Sequence, residues 1–145
     1  MSARLEAPDL VVLDASFVLR YVLHTDAPRP HREGLAVLGE CELIVPALWN
    51  AEVANALAQA ERRSAEPARI GQALAAIGAL NPIVDAQVVD VARNLELARA
   101  YRLSAYDSLY FELALRRKAA LATYDDAMIA AASTAGIRLY PQPAA

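Results

Sequence analysis

Apolar and polar positions alternate along this chain in two rhythms. Short runs are apolar throughout, and longer stretches repeat an apolar residue every three or four positions. LVVL (Leu10 to Leu13) is apolar at every position, as a strand buried on both faces should be. LIVP (Leu43 to Pro46) and the IV of PIVD are shorter runs of this kind. AALAT (Ala119 to Thr123) and IRLY (Ile137 to Tyr140) follow late in the chain. Helical periodicity fills the intervals: ASFVLRYVL after the first run, then Ala47 to Arg63, Pro67 to Leu80, Ala86 to Tyr101, Tyr106 to Lys118 and Asp126 to Ala135. Pro67 suits a first helical turn, and Gly136 suits a C-terminal cap. Strands alternating with helices predict an α/β domain with a mainly parallel sheet and right-handed crossovers. The mostly helical stretch from Pro67 to Tyr101 reads as an excursion off that sheet.

Composition narrows the class. The 145 residues fit one domain, 1–145, with 57% hydrophobic and 21% charged residues, which argues for a packed core rather than disorder. The single cysteine, Cys41, rules out an internal disulfide and a cysteine-based zinc cluster, so a reducing cytoplasm is the expected home. MSARLEAPDL has no apolar core of signal-peptide type, and the apolar runs are broken early by Asp14, Arg20 or Pro82, so no membrane span is expected. A net charge of −3 argues against a general nucleic-acid coat protein, although not against a nuclease. Carboxylates at an active site lower the net charge, and bound divalent ions restore positive charge where a phosphate sits.

Acids recur at strand-to-helix junctions. Asp14 follows LVVL, Glu52 stands early in the helix after LIVP, Asp107 opens the helix SAYDSLYFELAL, and Asp125 follows AALATY. In a parallel α/β sheet these junctions share the carboxyl edge, where ligands bind. Each acid also has a bland explanation. Asp14, Asp107 and Asp125 could be helix caps or first-turn charges. Glu52 shares a helix row with Leu48, Ala56 and Ala60, so it needs a partner, a proton or a metal. Gathered in one cleft, such acids repel unless protons or cations compensate. Hard oxygen ligands suit Mg²⁺ or Mn²⁺, and that set suggests metal-dependent phosphodiester hydrolysis.

The motifs VVLDAS, PALWNAEVANAL, LSAYDSLYFELA and LATYDDAMIAAA, in that order and spacing, resemble the PIN-domain ribonucleases, and most closely the VapC-type toxins of toxin–antitoxin pairs. The resemblance runs from about Leu10 to Leu139. It implies a three-layer α/β/α sandwich, a Mg²⁺ or Mn²⁺ site, endonucleolytic cleavage of RNA, a homodimer and a VapB-type antitoxin partner. By motif, the family's four acids fall on Asp14, Glu52, Asp107 and Asp125, and Ser16 matches a small hydroxyl residue beside the metal. The implied reaction is in-line attack by a metal-activated water, with no covalent enzyme intermediate. Asp126 leaves the fourth acid ambiguous. Thr123 to Asp126 has capping-box spacing, which assigns Asp126 to the helix start and Asp125 to metal or water.

Other features weigh less. Arg20 on ASFVLRYVL could contact a phosphate or an antitoxin, or lay its stem over the core. Arg62 and Arg63, and Arg116 to Lys118, sit at helix C-termini, where dipole compensation competes with RNA contact. His24 and His31 lack the spacing of a zinc helix motif. Trp49, Tyr106 and Tyr110 suit core packing or a dimer seam. No G-x-S-x-G elbow or glycine-rich phosphate loop is present, and a phosphoaspartate phosphatase would want an acid where Ser16 stands. The competing functions are a PIN-like module that only binds RNA or protein, and a housekeeping RNA-processing nuclease.

Overall fold

LVVL lies inside the sheet because both of its faces must be covered. The computed structural model describes residues 9–23, 38–63 and 65–140. Among these, β1 (Leu10–Leu13), β2 (Glu42–Pro46), β3 (Ile83–Asp85) and β4 (Ala120–Ala122) form one parallel sheet in the order β3-β2-β1-β4. Val11 and Val12 pair with Leu43 and Ile44 on one side and with Ala120 and Leu121 on the other. All of these are buried. β3 forms the edge, and its Ile83 and Val84 remain exposed.

Parallel strands need long crossovers, here supplied by helices. They are α1 (Ala15–Leu23), α2 (Leu48–Arg62), α3 (Pro67–Leu80), α4 (Val91–Tyr101), α5 (Ala105–Arg117) and α6 (Asp126–Ala135). α1 packs against α2 and α3, while α4 packs against α5, which lies across β1, β2 and β4. The result is the expected three-layer α/β/α arrangement. Its core joins Val11, Val12 and Leu13 to Phe17, Val18, Ile44, Trp49 and Phe111, among others.

Helix ends follow local chemistry. Asp90 and Ser104 cap α4 and α5 by accepting from the backbone N–H groups of Arg93 and Asp107. Gly136 closes α6 at φ +75°, where a residue without Cβ is least strained.

Two sequence expectations need correction. The helix expected from Ala86 starts only at Val91, because Asp90 supplies its cap and leaves 86–90 irregular. The run Ile137 to Tyr140 is not a strand but a single parallel bridge between Leu121 and Leu139. Pro141 follows it and has no N–H to extend a ladder. Of the excursion expected between Pro67 and Tyr101, the middle returns to the sheet as β3. His24 and His31 lie outside the described residues.

Candidate active site

Strand order decides where the site can form. The chain leaves β1 toward β2 and β3, then returns to β4 on the opposite side of β1. That reversal makes a switch point between the carboxyl ends of β1 and β4. The ladder reaches one residue beyond β1, with the Asp14 N–H donating to the Ala122 carbonyl at 3.0 Å. Asp14 therefore sits beside the end of β4 and next to Thr123.

The Asp14 side chain is 5% exposed. Ser16 and Thr123 hydroxyls both donate to its Oδ2, at 2.6 and 2.7 Å, and among the described residues no side chain donates to Oδ1. Burial pushes the Asp14 carboxyl above its usual range. The Ser16 and Thr123 hydroxyls and the Ser16 N–H pull it back, and nearby Glu52 pushes it up again.

Thr123 is a site residue that the sequence reading used only as a helix signal. Its buried hydroxyl donates to Asp14 and accepts from the Asp125 N–H at 3.0 Å, tying the first acid to the turn carrying the fourth. Thr123→Val keeps the shape and removes both bonds. Urea unfolding should show a loss of about 1–3 kcal/mol, the usual cost when a buried polar group loses its partner. A midpoint unchanged from wild type would show that this link carries no stability.

The capping box expected between Thr123 and Asp126 does not form. Asp125 itself is the N-cap of α6, its Oδ1 accepting from the Met128 N–H at 3.0 Å. The helix begins two residues later than that pattern requires, because the Thr123 hydroxyl is already committed to Asp14 and to the Asp125 N–H. Asp126 is exposed in the first turn of α6, where a negative charge favours the helix dipole. The S-x-x-acid pattern is used instead at Ser104 and Asp107.

Asp107 is half-buried on the α5 face that also carries the buried Tyr110, Phe111 and Ala114. Burial raises its carboxyl, and the negative charges of Asp125 and then Asp14 raise it further, against the lowering effect of the Ser104 hydroxyl. Glu52 is half-buried with its row mates Leu48, Ala56 and Ala60, beside the fully buried row of Trp49, Val53 and Leu57. It thus stands at the margin of the apolar face. Its partner is Tyr110, whose hydroxyl donates to Oε1 at 2.5 Å. Burial first, then Glu52 and Asp14, hold the Tyr110 hydroxyl far above its ordinary range, so it stays a neutral donor. At the sequence level a tyrosine on an apolar helix row reads as core; its long-range bond gave no local signal.

The four expected acids are therefore linked by charge: Asp14 with Glu52 and Asp107, and Asp107 with Asp125. Three of them have one oxygen tied by a hydrogen bond, namely Asp14 Oδ2, Glu52 Oε1 and Asp125 Oδ1. Asp14 and Asp107, whose carboxyls are raised by burial and by neighbouring negative charge, stand with the oriented Glu52 and Asp125 as an all-oxygen donor set of the kind that suits a hard divalent cation. Among the described residues no three His, Cys, Asp or Glu side chains are already grouped so that they could hold a metal ion; the four acids are related here by charge.

At the rim, Tyr124 stacks on Phe17 with centroids 4.6 Å apart, and the exposed Arg20 guanidinium lies 5.1 Å from the Tyr124 ring centroid. Arg20 thus stacks on an aromatic face beside the site rather than only covering the core. Tyr106 is 66% exposed and is no part of the core, whereas Trp49 is buried. Arg116 is engaged by Asp85 and Glu112 beside a separate cavity of about 520 Å³ that includes Leu109 and Leu113 but none of the four acids. No described helix is long and apolar enough to cross a membrane.

Comparison with known proteins bears on family and fold. A sequence family described as PIN domain matches residues 11–133. The fold is similar to the crystal structure of PAE2754 from Pyrobaculum aerophilum, with a TM-score of 0.64 and 19% identity over 88% of this chain and 83% of that one. At that identity the likeness concerns the fold. No curated protein matches the sequence.

Proposed function

The chain belongs to the PIN-domain family, and from that premise we propose that it is a Mg²⁺- or Mn²⁺-dependent endoribonuclease, the VapC-type toxin of a type II toxin–antitoxin pair. PIN domains are generally metal-dependent nucleases, and PIN nucleases act on RNA. What supports the finer reading is the charge coupling of Asp14 with Glu52 and Asp107, and of Asp107 with Asp125, beside the sheet's switch point. Asp14, Glu52, Asp107 and Asp125 would hold the cation. When bound, the ion supplies an activated water and stabilises charge developing on the phosphate.

The protein's own residues do the rest. Ser16 and Thr123 hold the Asp14 carboxylate in one orientation. The N-cap bond does the same for Asp125. Asp126 adds negative charge at the start of α6 without joining these hydrogen bonds among the described residues.

Arg20 offers a cation for the RNA backbone beside the acids. Arg20→Gln should weaken RNA binding, measured by filter retention or fluorescence anisotropy across a salt series, and should lower the slope of log K against log salt by about 1. An unchanged slope would remove Arg20 from the RNA path.

The toxin role implies a homodimer and a cognate VapB-type antitoxin acting in the cytoplasm. The direct test is controlled expression followed by sequencing of newly formed RNA ends, with and without the product of any small open reading frame immediately upstream. New ends suppressed by that product support the toxin. Discrete processing of one precursor, with no arrest of growth, would point to housekeeping instead. RNA binding without cleavage at any divalent-metal concentration would point to a binding module.

A further inference from the structure

We propose that Tyr110 is a positioning residue for the metal site, acting by holding the Glu52 carboxylate in the orientation that ligates the ion. The inference rests on the reading of Glu52 as a metal ligand given above.

Three observations carry it. The Tyr110 ring is fully buried, so a phenylalanine would satisfy the packing alone. The added hydroxyl needs a partner in that setting, because an unpaired buried polar group is costly. Its partner is a carboxylate 58 residues away on another helix, the Oε1 of Glu52. Among the described residues no side-chain or backbone donor reaches Oε2, so one oxygen is anchored and the other is left over.

Placement makes this anchor specific to the site. Tyr110 lies three residues after Asp107, on the same face of α5. One helix thus delivers an acid and the post that fixes another. The Ala15 backbone N–H also lies against the Tyr110 oxygen, next to Asp14 in the chain. The hydroxyl therefore stands where α1, α2 and α5 meet, and it sets the position of Glu52 relative to Asp14 and Asp107. Glutamate has three side-chain torsions, and without a tether its carboxylate samples rotamers that do not face the other acids. Groups that orient a metal ligand in this way commonly change metal affinity when removed.

The test is a double-mutant cycle on Mn²⁺ affinity, read from the free-ion electron paramagnetic resonance signal, using wild type, Tyr110→Phe, Glu52→Gln and the double variant. Tyr110→Phe should weaken Mn²⁺ binding by about 10–100-fold. Thermal unfolding without metal should stay close to wild type, showing that the ring still packs. In the Glu52→Gln background the same change should add nothing, because the hydroxyl then has no ligand to position. Wild-type affinity in Tyr110→Phe, or equal losses in both backgrounds, would overturn the assignment. Absence of Mn²⁺ binding by wild type would overturn it together with the metal site. A wild type that binds Mn²⁺ but cleaves no RNA would remove the nuclease reading alone, since the cycle on affinity would still support Tyr110.

Discussion

Asp14→Asn is expected to reduce RNA cleavage by more than about 100-fold, beyond the loss typical of an outer-shell partner, and to leave the metal-free protein more stable than wild type at neutral pH. Both effects follow from the same side chain. Asparagine fits the pocket: its single carbonyl oxygen can accept from Ser16 and Thr123 as Asp14 Oδ2 does. The amide NH₂ then replaces Oδ1, the oxygen that receives no side-chain donor among the described residues, so a cation loses a ligand and its neutralising charge.

Stability moves the other way because the native state carries a buried carboxylate whose pKa is raised chiefly by burial. At neutral pH that charge is a cost to folding, and the neutral amide removes it. Cleavage of a fluorescent RNA with Mg²⁺ or Mn²⁺, together with thermal unfolding in chelator, measures both. A folded Asp14→Asn protein that cleaves at the wild-type rate would refute the assignment of Asp14. Lower stability in chelator would show instead that the carboxylate is well compensated without metal.

Part of the candidate site was legible because a parallel sheet sends its strand-to-helix junctions to one edge, which accounts for Asp14, Glu52 and Asp125; Asp107 opens α5 directly after α4, so no strand end announces it. Asp14, Glu52, Asp107 and Asp125 each lay next to a recognisable apolar run or helix start. The strand order was not legible: the IV of PIVD marked a short strand, but a run of three residues carries no signal of which neighbour it pairs with. Nor was the division of labour between Asp125 and Asp126. A capping box looks the same in sequence whether or not its threonine is free, and Thr123 is occupied by an acid 109 positions away. Tyr110 was missed for the same physical reason: its packing is local and periodic, while its hydroxyl acts across the fold. Sequence pattern reports which face of an element is apolar. It carries no trace of which distant group meets the polar atom at the end of a side chain.

Divalent metal should reverse the pH dependence of stability. In the metal-free protein Asp14 and Asp107 both have folded pKa values raised above the ordinary aspartate value, chiefly by burial. Between the unfolded and folded values the native state binds more protons than the unfolded state, so these two groups make stability fall as pH rises. The cost is fully present above the raised folded values and is relieved as pH drops through them, complete only below the unfolded carboxylate range. Acidification from neutral pH into that window therefore stabilises the metal-free protein through these groups. With Mg²⁺ or Mn²⁺ bound, the carboxylates must be ionised and the ion competes with protons, so acidification removes the stabilisation that the ion confers. Saturating metal at about 100 times Kd should add about 2.7 kcal/mol at neutral pH, or about 5–10 °C in Tm for a chain of this size, and chelation should take cleavage to background. Urea unfolding at a series of pH values, with chelator and with MnCl₂, checks the sign. Asp14→Asn serves as the control, because it removes the Asp14 carboxyl together with the repulsion that Asp14 exerts on Asp107. Parallel pH profiles for wild type and Asp14→Asn in chelator would mean that Asp14 does not carry the effect. A Tm unmoved by Mn²⁺ at any pH would mean that these acids hold no ion.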